Sequence, residues 1–216
     1  MPGRRFCRYE LRTTDLSAAS AFYTHVLGSQ FWDSNVSLSS LPDRAAARGA
    51  PAHWLGHIGV RDVEEMTRRI ATLGGQQLGP VQADAAGLLH AVVRDPFGAV
   101  LAVSSEAVSS RPSAVWHVSH TEDHEQAFAW YADLFGWTST ERLDLGPERG
   151  RHQLFAWDES ARSVGSMANT ARLPHIHPQW LFFFPVVVLV ILILSIFFIG
   201  DGLREALDPK KNRVRA

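Results

Sequence analysis

The sequence predicts an α+β fold built from repeated modules of strands around a helix, followed by one membrane-spanning helix. Three observations carry this prediction: strand-like segments alternate with capped helices, one stretch of the chain repeats another, and one long run near the C-terminus carries no charge. The chain has 216 residues, 46% of them hydrophobic, and a formal net charge of −1. This length accommodates one or two compact domains.

The composition excludes several classes of protein. Seven Trp and twelve Phe are too many for an intrinsically disordered chain. The near-zero net charge lacks the basic excess typical of nucleic-acid binders, so we expect no nucleic-acid partner. The single cysteine, Cys7, permits no intramolecular disulfide and no cysteine-based zinc site, which is typical of a reducing compartment.

Three helices are predicted within residues 15–28, 62–74 and 123–136, each of which begins with an aspartate and ends with a glycine. The second carries apolar residues at helical spacing: Val63, Met66, Ile70 and Leu73. Strand-like segments lie at residues 7–13, 54–60, 88–94, 100–104, 114–120 and 152–157. Pro96 and Gly98 stand where a type I turn favours them, so we expect a hairpin across residues 95–98.

The chain also contains an internal repeat. The segment TTDLSAASAFYTHVLG (13–28) aligns with TEDHEQAFAWYADLFG (121–136) at an offset of 108. A second match, PAHWLGHIGV (51–60) with HPQWLFFFPV (177–186), has an offset of 126 and places Trp54 on Trp180. Two matches in the same order indicate duplication. We therefore expect a first domain at residues 1–105, a polar linker at 106–113 and an incomplete second domain at 114–180.

These motifs, together with WLGHIGVRDVEEMTRRIATLGG and RDPFGAVLAV, resemble the vicinal oxygen chelate superfamily, which includes glyoxalase I and bleomycin-resistance proteins. The resemblance covers residues 6–186. It implies βαβββ modules, of which the first three are complete and the fourth is truncated, and paired modules forming a cupped sheet that holds a metal ion or a small ligand. The family contains lyases and dioxygenases, and whether this chain is an enzyme stays open.

The metal-ligand pattern of the family is not retained. Ala102 stands where the metal enzymes of the family place a glutamate. His57 and His117 are the weak candidates for metal ligands, although a packed or surface histidine is the commoner role. His117 and His120 are three residues apart on a predicted strand, so they face opposite sides of the sheet. We expect no metal ion and no other cofactor.

The function that follows from this resemblance is small-molecule binding without a metal ion. The candidate substrate-binding residues are four aromatic side chains: Trp54, Trp116, Phe155 and Trp157. Aromatic residues at such positions are more often part of the core. A metal-dependent lyase or dioxygenase is the alternative that Ala102 disfavours.

The run WLFFFPVVVLVILILSIFFI, residues 180–199, contains no charged residue. Its length as a helix is about 30 Å, the thickness of the hydrocarbon core of a bilayer. A buried core strand or helix is the alternative, but core elements rarely run so long without a polar face. We expect a transmembrane helix at residues 181–199 and a basic tail at 200–216.

The segment FPVVVLVILILSIFFIGDGLREALDPK (184–210) resembles the C-terminal end of the permease subunits of oligopeptide and dipeptide ABC transporters. The chain is therefore interpreted as a chimera of two families, with a single evolved tail-anchored protein as the alternative. The second functional hypothesis is a membrane component or fragment of such a permease. The candidate partners are a membrane, a small molecule, a second copy of the chain and transporter subunits.

The expected location is the inner (plasma) membrane, with a single span. Basic residues are more frequent after the apolar run than before it, which by the positive-inside rule places the C-terminus in the cytoplasm. A large folded domain resists translocation, however, and no export signal precedes it. We therefore expect the N-terminal domain in the cytoplasm.

Overall fold

The structure is a computed structural model that describes residues 4–32, 35–84, 87–105, 114–159 and 162–184. The first half comprises β1 (Phe6–Thr13), α1 (Leu16–Leu27), β2 (Val36–Ser40), α2 (Asp43–Ala46), β3 (His53–Gly59), α3 (Val63–Thr72), β4 (Gln76–Gln77), β5 (Gln82–Ala83), β6 (Leu89–Arg94) and β7 (Val100–Ser104). The second half comprises β8 (Trp116–His120), α4 (His124–Phe135), β9 (Thr138–Asp144), β10 (Arg151–Ala156), β11 (Gly165–Ala168) and β12 (Gln179–Phe183). Two 3₁₀ turns lie at Ser29–Trp32 and Asn169–Arg172.

The strands form two sheets. Sheet one has the order β2-β1-β3-β7-β6-β4, with β5 also paired to β6, and sheet two has the order β12-β8-β11-β10-β9. Each sheet is built around an antiparallel pair, β1 with β3 and β8 with β12. The first strand of each half also pairs in parallel with a later strand, β1 with β2 and β8 with β11. The two halves thus share the same pattern of strand pairing, in agreement with the repeat in the sequence.

The predicted starts of the three helices are confirmed. The Asp15 carboxylate accepts the N–H of Ala18 at 2.8 Å, and the Asp62 carboxylate accepts that of Glu65 at 2.8 Å. Asp123 caps α4 in the same way. Because a side-chain oxygen here satisfies an N–H group that has no partner within the helix, each aspartate fixes where its helix begins.

One tryptophan–tyrosine hydrogen bond occurs once in each half. The Trp54 indole N–H donates to the Tyr23 hydroxyl at 3.2 Å, and the Trp180 indole N–H donates to the Tyr131 hydroxyl at 2.9 Å. Tyr23 and Tyr131 are related by the offset of 108, and Trp54 and Trp180 by the offset of 126. Both sequence matches therefore correspond to the same three-dimensional contact.

The first module is not complete, contrary to the prediction. It contains β1, α1 and β2, whereas the third module contains β8, α4, β9, β10 and β11. No described strand of the first module corresponds to the β9–β10 hairpin. The reason lies in the chain length, because the offset between the repeats rises from 108 to 126 across this part of the module. The second module is complete, and β12 is the described part of the fourth.

The predicted transmembrane helix is wrong for its first residues. Residues 179–183 form strand β12, in which Trp180 pairs with Ser119 of β8, and both Trp180 and Phe184 are buried in the core. Apolar residues suit a buried strand as well as a membrane helix, so the composition of the run did not distinguish the two. The rest of the run, the basic tail and the linker at 106–113 lie outside the described residues. Within the described ranges, no helix is long and apolar enough to cross a membrane.

The two halves share one hydrophobic core, which includes Tyr9 and Ile58 from sheet one and Phe155 and Met167 from sheet two. Gly56 of β3 allows their closest approach, since a Cβ atom at this position would lie 2.4 Å from the Phe182 ring. Because glycine has no Cβ atom, β12 packs directly against β3.

Helix α3 packs on sheet one through Val63, Met66 and Ile70, which are buried as predicted. Leu73, expected on the same face, is 38% exposed because the helix ends at Thr72. The chain turns away after that residue, and Gly74 has a positive φ of 87°.

Candidate functional site

A row of charged side chains lies along one side of β1. Arg8, Glu10 and Arg12 alternate with buried residues, so all three project from the same side of the strand. Tyr9 projects from the other side, toward sheet two, where it contacts His117 and Phe182. We call the charged side the polar face of sheet one, and its members are Arg8, Glu10, Arg12, Ser39, His57, Asp84 and His90.

The centre of the polar face is a carboxylate–imidazole pair. His57 on β3 lies 3.1 Å through Nε2 from the Glu10 carboxylate, and its side chain is fully buried. The Nδ1 atom of His57 lies 3.1 Å from an Nη atom of Arg8. Because a guanidinium only donates, Nδ1 is the acceptor and Nε2 carries the proton that is donated to Glu10. The neighbours thus fix the tautomer of this histidine.

Two ion pairs flank the Glu10–His57 pair on the polar face. Arg8 contacts the Asp84 carboxylate at 2.8 Å, and Arg12 contacts the Glu10 carboxylate at 3.0 Å. Ser39 of β2 donates to the other oxygen of Glu10. Two guanidinium groups therefore balance two carboxylates. Side-chain exposure is 13% for Glu10 and Arg12, 15% for Arg8 and 22% for Asp84, so the Arg8–Asp84 pair is more accessible than the Arg12–Glu10 pair.

Burial and these contacts set the protonation states. Burial alone raises the pKa of Glu10, but hydrogen bonds from His57, Ser39 and Arg12 and the charge of Arg12 outweigh it and hold that pKa below its ordinary value. Burial lowers the pKa of His57 to about 4 against the opposing effect of Glu10. At neutral pH the pair is therefore a carboxylate and a neutral imidazole.

These residues do not fit a metal ion. Ala102 of β7 lies beside His57 in the strand register, so the position where the resemblance implies a carboxylate ligand carries a methyl group. The Glu10 and His57 side chains each contact an arginine, so a divalent cation between them would meet two positive charges. No group of three His, Cys, Asp or Glu residues in the described part of the chain is arranged to hold a metal ion.

The other metal-ligand candidate, His117, lies in a different place. It is buried between the two halves, where Nδ1 donates to the Val164 carbonyl at 2.9 Å and Nε2 accepts the Tyr9 hydroxyl at 2.7 Å. His120 lies on the opposite face of β8 and contacts the Thr170 hydroxyl. The odd separation therefore does place the two histidines on opposite faces. His117 and His57 contribute to no common site.

The four aromatic candidates do not line a single pocket. Trp54 is packed against Tyr23 and Phe184 near the start of β3, an inner strand of sheet one. Phe155 is fully buried and lies near Trp157, with ring centroids 5.5 Å apart, inside the shared core. Trp116 is half-buried on β8, and its alternation with His117 places it on the face of sheet two away from that core. The structure brings together only Phe155 and Trp157.

A cavity lies elsewhere in the fold. It has a volume of about 540 Å³ and opens beside the β9–β10 turn. Its lining includes Asp144, Arg151, Thr170, Arg172 and Leu173, none of which the sequence singled out. It contains neither candidate histidine and none of the four aromatic residues.

The residues that sequence reasoning missed are Arg8, Glu10 and Arg12. Their signal was present as a charge at every second position of the predicted strand Cys7–Thr13. Charged residues at positions i, i+2 and i+4 share one face of a strand, and a strand that is buried on its other face needs partners for them. Asp84 could not be found this way, because it comes from a distant loop.

The chain is similar to known proteins of two kinds, although no family model matches it. It is 26% identical over 153 residues to "Putative glyoxylase CFP32" of Mycobacterium tuberculosis (strain CDC 1551 / Oshkosh). This match covers 60% of the chain and 59% of the relative, so the chain spans less than two thirds of that protein.

The solved structures decide the fold. The Mn(II)-bound glyoxalase from Novosphingobium aromaticivorans superposes with a TM-score of 0.54 at 16% identity, over 77% of this chain and 62% of that one. The halotolerant catechol dioxygenase BphC superposes with a TM-score of 0.54 at 13% identity, over 78% and 65%. The fold is glyoxalase-like. The vicinal oxygen chelate architecture expected from the motifs is thereby confirmed at the level of the fold.

A second, short similarity concerns membrane transport. The chain is 48% identical over 52 residues to "Putative peptide permease protein BOV_A0350" of Brucella ovis. The match covers 23% of this chain and 17% of the permease. It agrees with the resemblance of residues 184–210 to permeases, and it represents a small part of such a protein.

Proposed function

We propose that this glyoxalase-like protein binds a small polar molecule at the polar face of sheet one, without a metal ion. The observation that carries the proposal is the placement of Arg8 and Arg12 on the two sides of the Glu10–His57 pair. Guanidinium groups repel a metal cation but bind carboxylate and other oxygen groups well. The relative from Mycobacterium, named as a glyoxylase, supports a small-molecule role.

The accessible end of the polar face indicates how a ligand binds. Arg8 contacts both His57 and Asp84, and the Arg8–Asp84 pair is more exposed than the Arg12–Glu10 pair. A ligand carboxylate carries the same charge and the same acceptor atoms as Asp84, which contacts Arg8 through one oxygen, so it can replace that partner at little electrostatic cost. We therefore expect ligands that carry a carboxylate or an equivalent pair of oxygen atoms.

Calorimetric titration of the full-length protein with acetate, lactate and benzoate tests this proposal. At least one of the three is expected to bind to the wild type, and Arg8→Gln should weaken that binding at least tenfold. Arg68→Gln is the matched control, because the Arg68 side chain is 70% exposed on α3, away from the polar face. Equal binding by Arg8→Gln and the wild type, or no binding of any carboxylate, contradicts the proposal.

A separate measurement tests whether the protein binds a metal ion. Dialysis of the purified protein against Mn²⁺, followed by elemental analysis, should leave far less than one ion per chain. One ion per chain that disappears in His57→Gln would overturn the metal-free proposal. It would favour the alternative of a metal-dependent lyase or dioxygenase with the same fold.

Membrane attachment by the C-terminal apolar run is a separate proposal, supported by the absence of charge at residues 185–199. As a helix, this part is about 22 Å long, which is less than the ~30 Å of a bilayer core. A helix that crosses the whole hydrocarbon core would therefore have to include residues that form β12 in this structure. We propose attachment to the inner membrane with the glyoxalase-like part in the cytoplasm.

Alkaline carbonate extraction and protease treatment of spheroplasts test this arrangement. The full-length protein should stay with the membrane pellet, and its N-terminal part should be protected from external protease. Recovery in the soluble fraction argues against attachment, and digestion from outside argues against the orientation.

A permease-related role is the second candidate function, favoured by the 48% identity over 52 residues. One apolar run cannot form a solute path, so this role requires other transporter subunits. Affinity purification of the full-length protein from membranes should then recover an ATP-hydrolysing subunit of a peptide transporter. A preparation without such a subunit would remove the support for this role.

A further inference from the structure

Helix α1 has an exposed apolar face, whereas the equivalent face of its counterpart α4 is buried. The inner face of α4 consists of His124, Ala127, Tyr131, Leu134 and Phe135, all of them buried. The offset of 108 relates these to Leu16, Ala19, Tyr23, Val26 and Leu27. Among the latter, Leu16 is 40% and Val26 is 42% exposed, and only Leu27 is buried. The same face is therefore covered in one half and open in the other.

The internal repeat shows what covers such a face. In the second half, α4 packs on β10 and β11, and β10 pairs antiparallel with β11. In the first half, β2 takes the place of β11, in parallel contact with β1. Within the described ranges, β2 pairs with no other strand. Phe31 and Trp32 of the 3₁₀ turn pack on Tyr23 but leave Leu16 and Val26 uncovered.

We propose that a second copy of this chain covers α1, by antiparallel pairing of the two β2 strands about a two-fold axis. The missing neighbour of β2 must run antiparallel to it, as β10 runs to β11. A two-fold axis perpendicular to two identical edge strands imposes this same orientation, so the second copy supplies the required strand without any other partner. Sheet one then continues from one copy into the other.

The side chains and charges of this surface are compatible with self-pairing. On β2, Ser37 and Ser39 lie on the polar face with Glu10, so Leu38 lies on the side of α1. Leu38 of the second copy thus adds an apolar side chain beneath the open part of α1. Neither β2 nor α1 contains an Asp, Glu, Lys or Arg residue, so no like charges meet across the axis. An exposed strand edge beside an apolar patch is the usual setting for such pairing.

Sedimentation of the full-length protein in mild detergent tests the proposal with two variants of α1. The wild type should be a dimer at micromolar concentration, and Val26→Glu should weaken dimerisation at least tenfold. Ala21→Glu is the matched control, because Ala21 and its counterpart Ala129 are both exposed. Since Val26 is itself partly exposed, thermal melts should show that both variants fold.

Cross-linking identifies the strand involved. Of the variants Ser37→Cys, Leu38→Cys and Ser39→Cys, each in a Cys7→Ser background, at least one should form an intermolecular disulfide on mild oxidation, because a residue at or beside the axis meets its own copy. A cysteine at exposed Ser139 on β9 should form none. A monomeric wild type overturns the proposal. A dimer that survives Val26→Glu and gives no β2 cross-link also overturns it, and would assign association to another part of the chain, such as its C-terminal run.

Discussion

Tyr9 and His117 occupy the same position in the two repeats, 108 residues apart, and they hydrogen-bond to each other across the junction of the two sheets. Each lies on the first strand of its half, β1 or β8. Equivalent positions of the two repeats thus contact each other, and they carry different side chains. Tyrosine donates, and histidine accepts.

Loss of this bond should destabilise the fold. Tyr9→Phe leaves the Nε2 atom of buried His117 without its donor, and we expect a loss of about 1–3 kcal/mol in the free energy of unfolding. Urea denaturation of the full-length protein measures this. Tyr23→Phe is the comparison, since Tyr23 is only half-buried. An equal or smaller loss for Tyr9→Phe than for Tyr23→Phe would contradict the importance of the junction.

Removal of the Tyr131 hydroxyl should have a larger effect. It donates to Oδ2 of Asp95 at 2.8 Å and accepts from Trp180 at 2.9 Å, so Tyr131→Phe removes two buried hydrogen bonds, although Asp95 still accepts from two backbone N–H groups through Oδ1. The expected loss is about 2–5 kcal/mol. Trp180→Phe removes only one of the two bonds but also shrinks the core. Chemical denaturation of Tyr131→Phe showing a loss below about 1 kcal/mol would be evidence against this network.

Stability should fall on mild acidification because of the two buried histidines. Burial lowers the pKa values of His57 and His117 to about 4, from 6.5 in the unfolded chain. Between these values the unfolded chain binds protons that the folded protein does not, so folding is favoured less as the pH decreases from 6.5 toward 4. Each histidine contributes a slope of at most about 1.4 kcal/mol per pH unit.

Free energies of unfolding at pH 7, 6 and 5 measure this slope. His57→Gln should reduce it, whereas exposed His25→Gln should leave it unchanged. Glu10 does not interfere in this window, because its lowered pKa costs stability only once the pH falls below its ordinary value of 4.5. A flat profile from pH 7 to 5 would mean that neither histidine is buried in its neutral form.

The helix α3 offers a paired test of packing. Ile70 has no exposed surface, and Ile70→Ala should cost about 2–5 kcal/mol. Leu73, one turn further on, is 38% exposed, and Leu73→Ala should cost less than about 1 kcal/mol. Thermal or urea unfolding of both variants distinguishes them. Similar losses for the two would show that the helix face is assigned incorrectly.

The sequence predicted the parts of this fold that depend on local chemistry. The aspartate caps of the three long helices and the turn at Asp95 are formed by residues close in the chain, and their identities alone indicate them. The repeat was visible because helix and tryptophan positions match. The rise of the offset from 108 to 126 also indicates that the first module is shorter than the third. The offset alone does not say which strands the first module lacks, because no motif marks the missing strands.

The rest depended on contacts between distant segments. β12 has the composition of a membrane helix, and only its pairing with β8 makes it a strand. The polar face requires Arg8 and Asp84 to meet, although they are separated by 76 positions. Three of the four aromatic residues chosen as pocket candidates, Trp54, Phe155 and Trp157, belong to the shared core or pack against it, so they supply core area rather than a ligand cavity.

The junction between the halves also bears on how the chain is made. The surface of sheet one around Gly56 and Tyr9 is covered in part by Phe182, Phe184 and His117, which are synthesised later. From residue 105 to 184, ribosomes need about 4–16 s at ordinary elongation rates. During that interval the newly made first half presents an apolar surface to the cytosol. The nascent protein should therefore depend on holdase chaperones until β12 emerges, and slow codons between the halves should lower its yield.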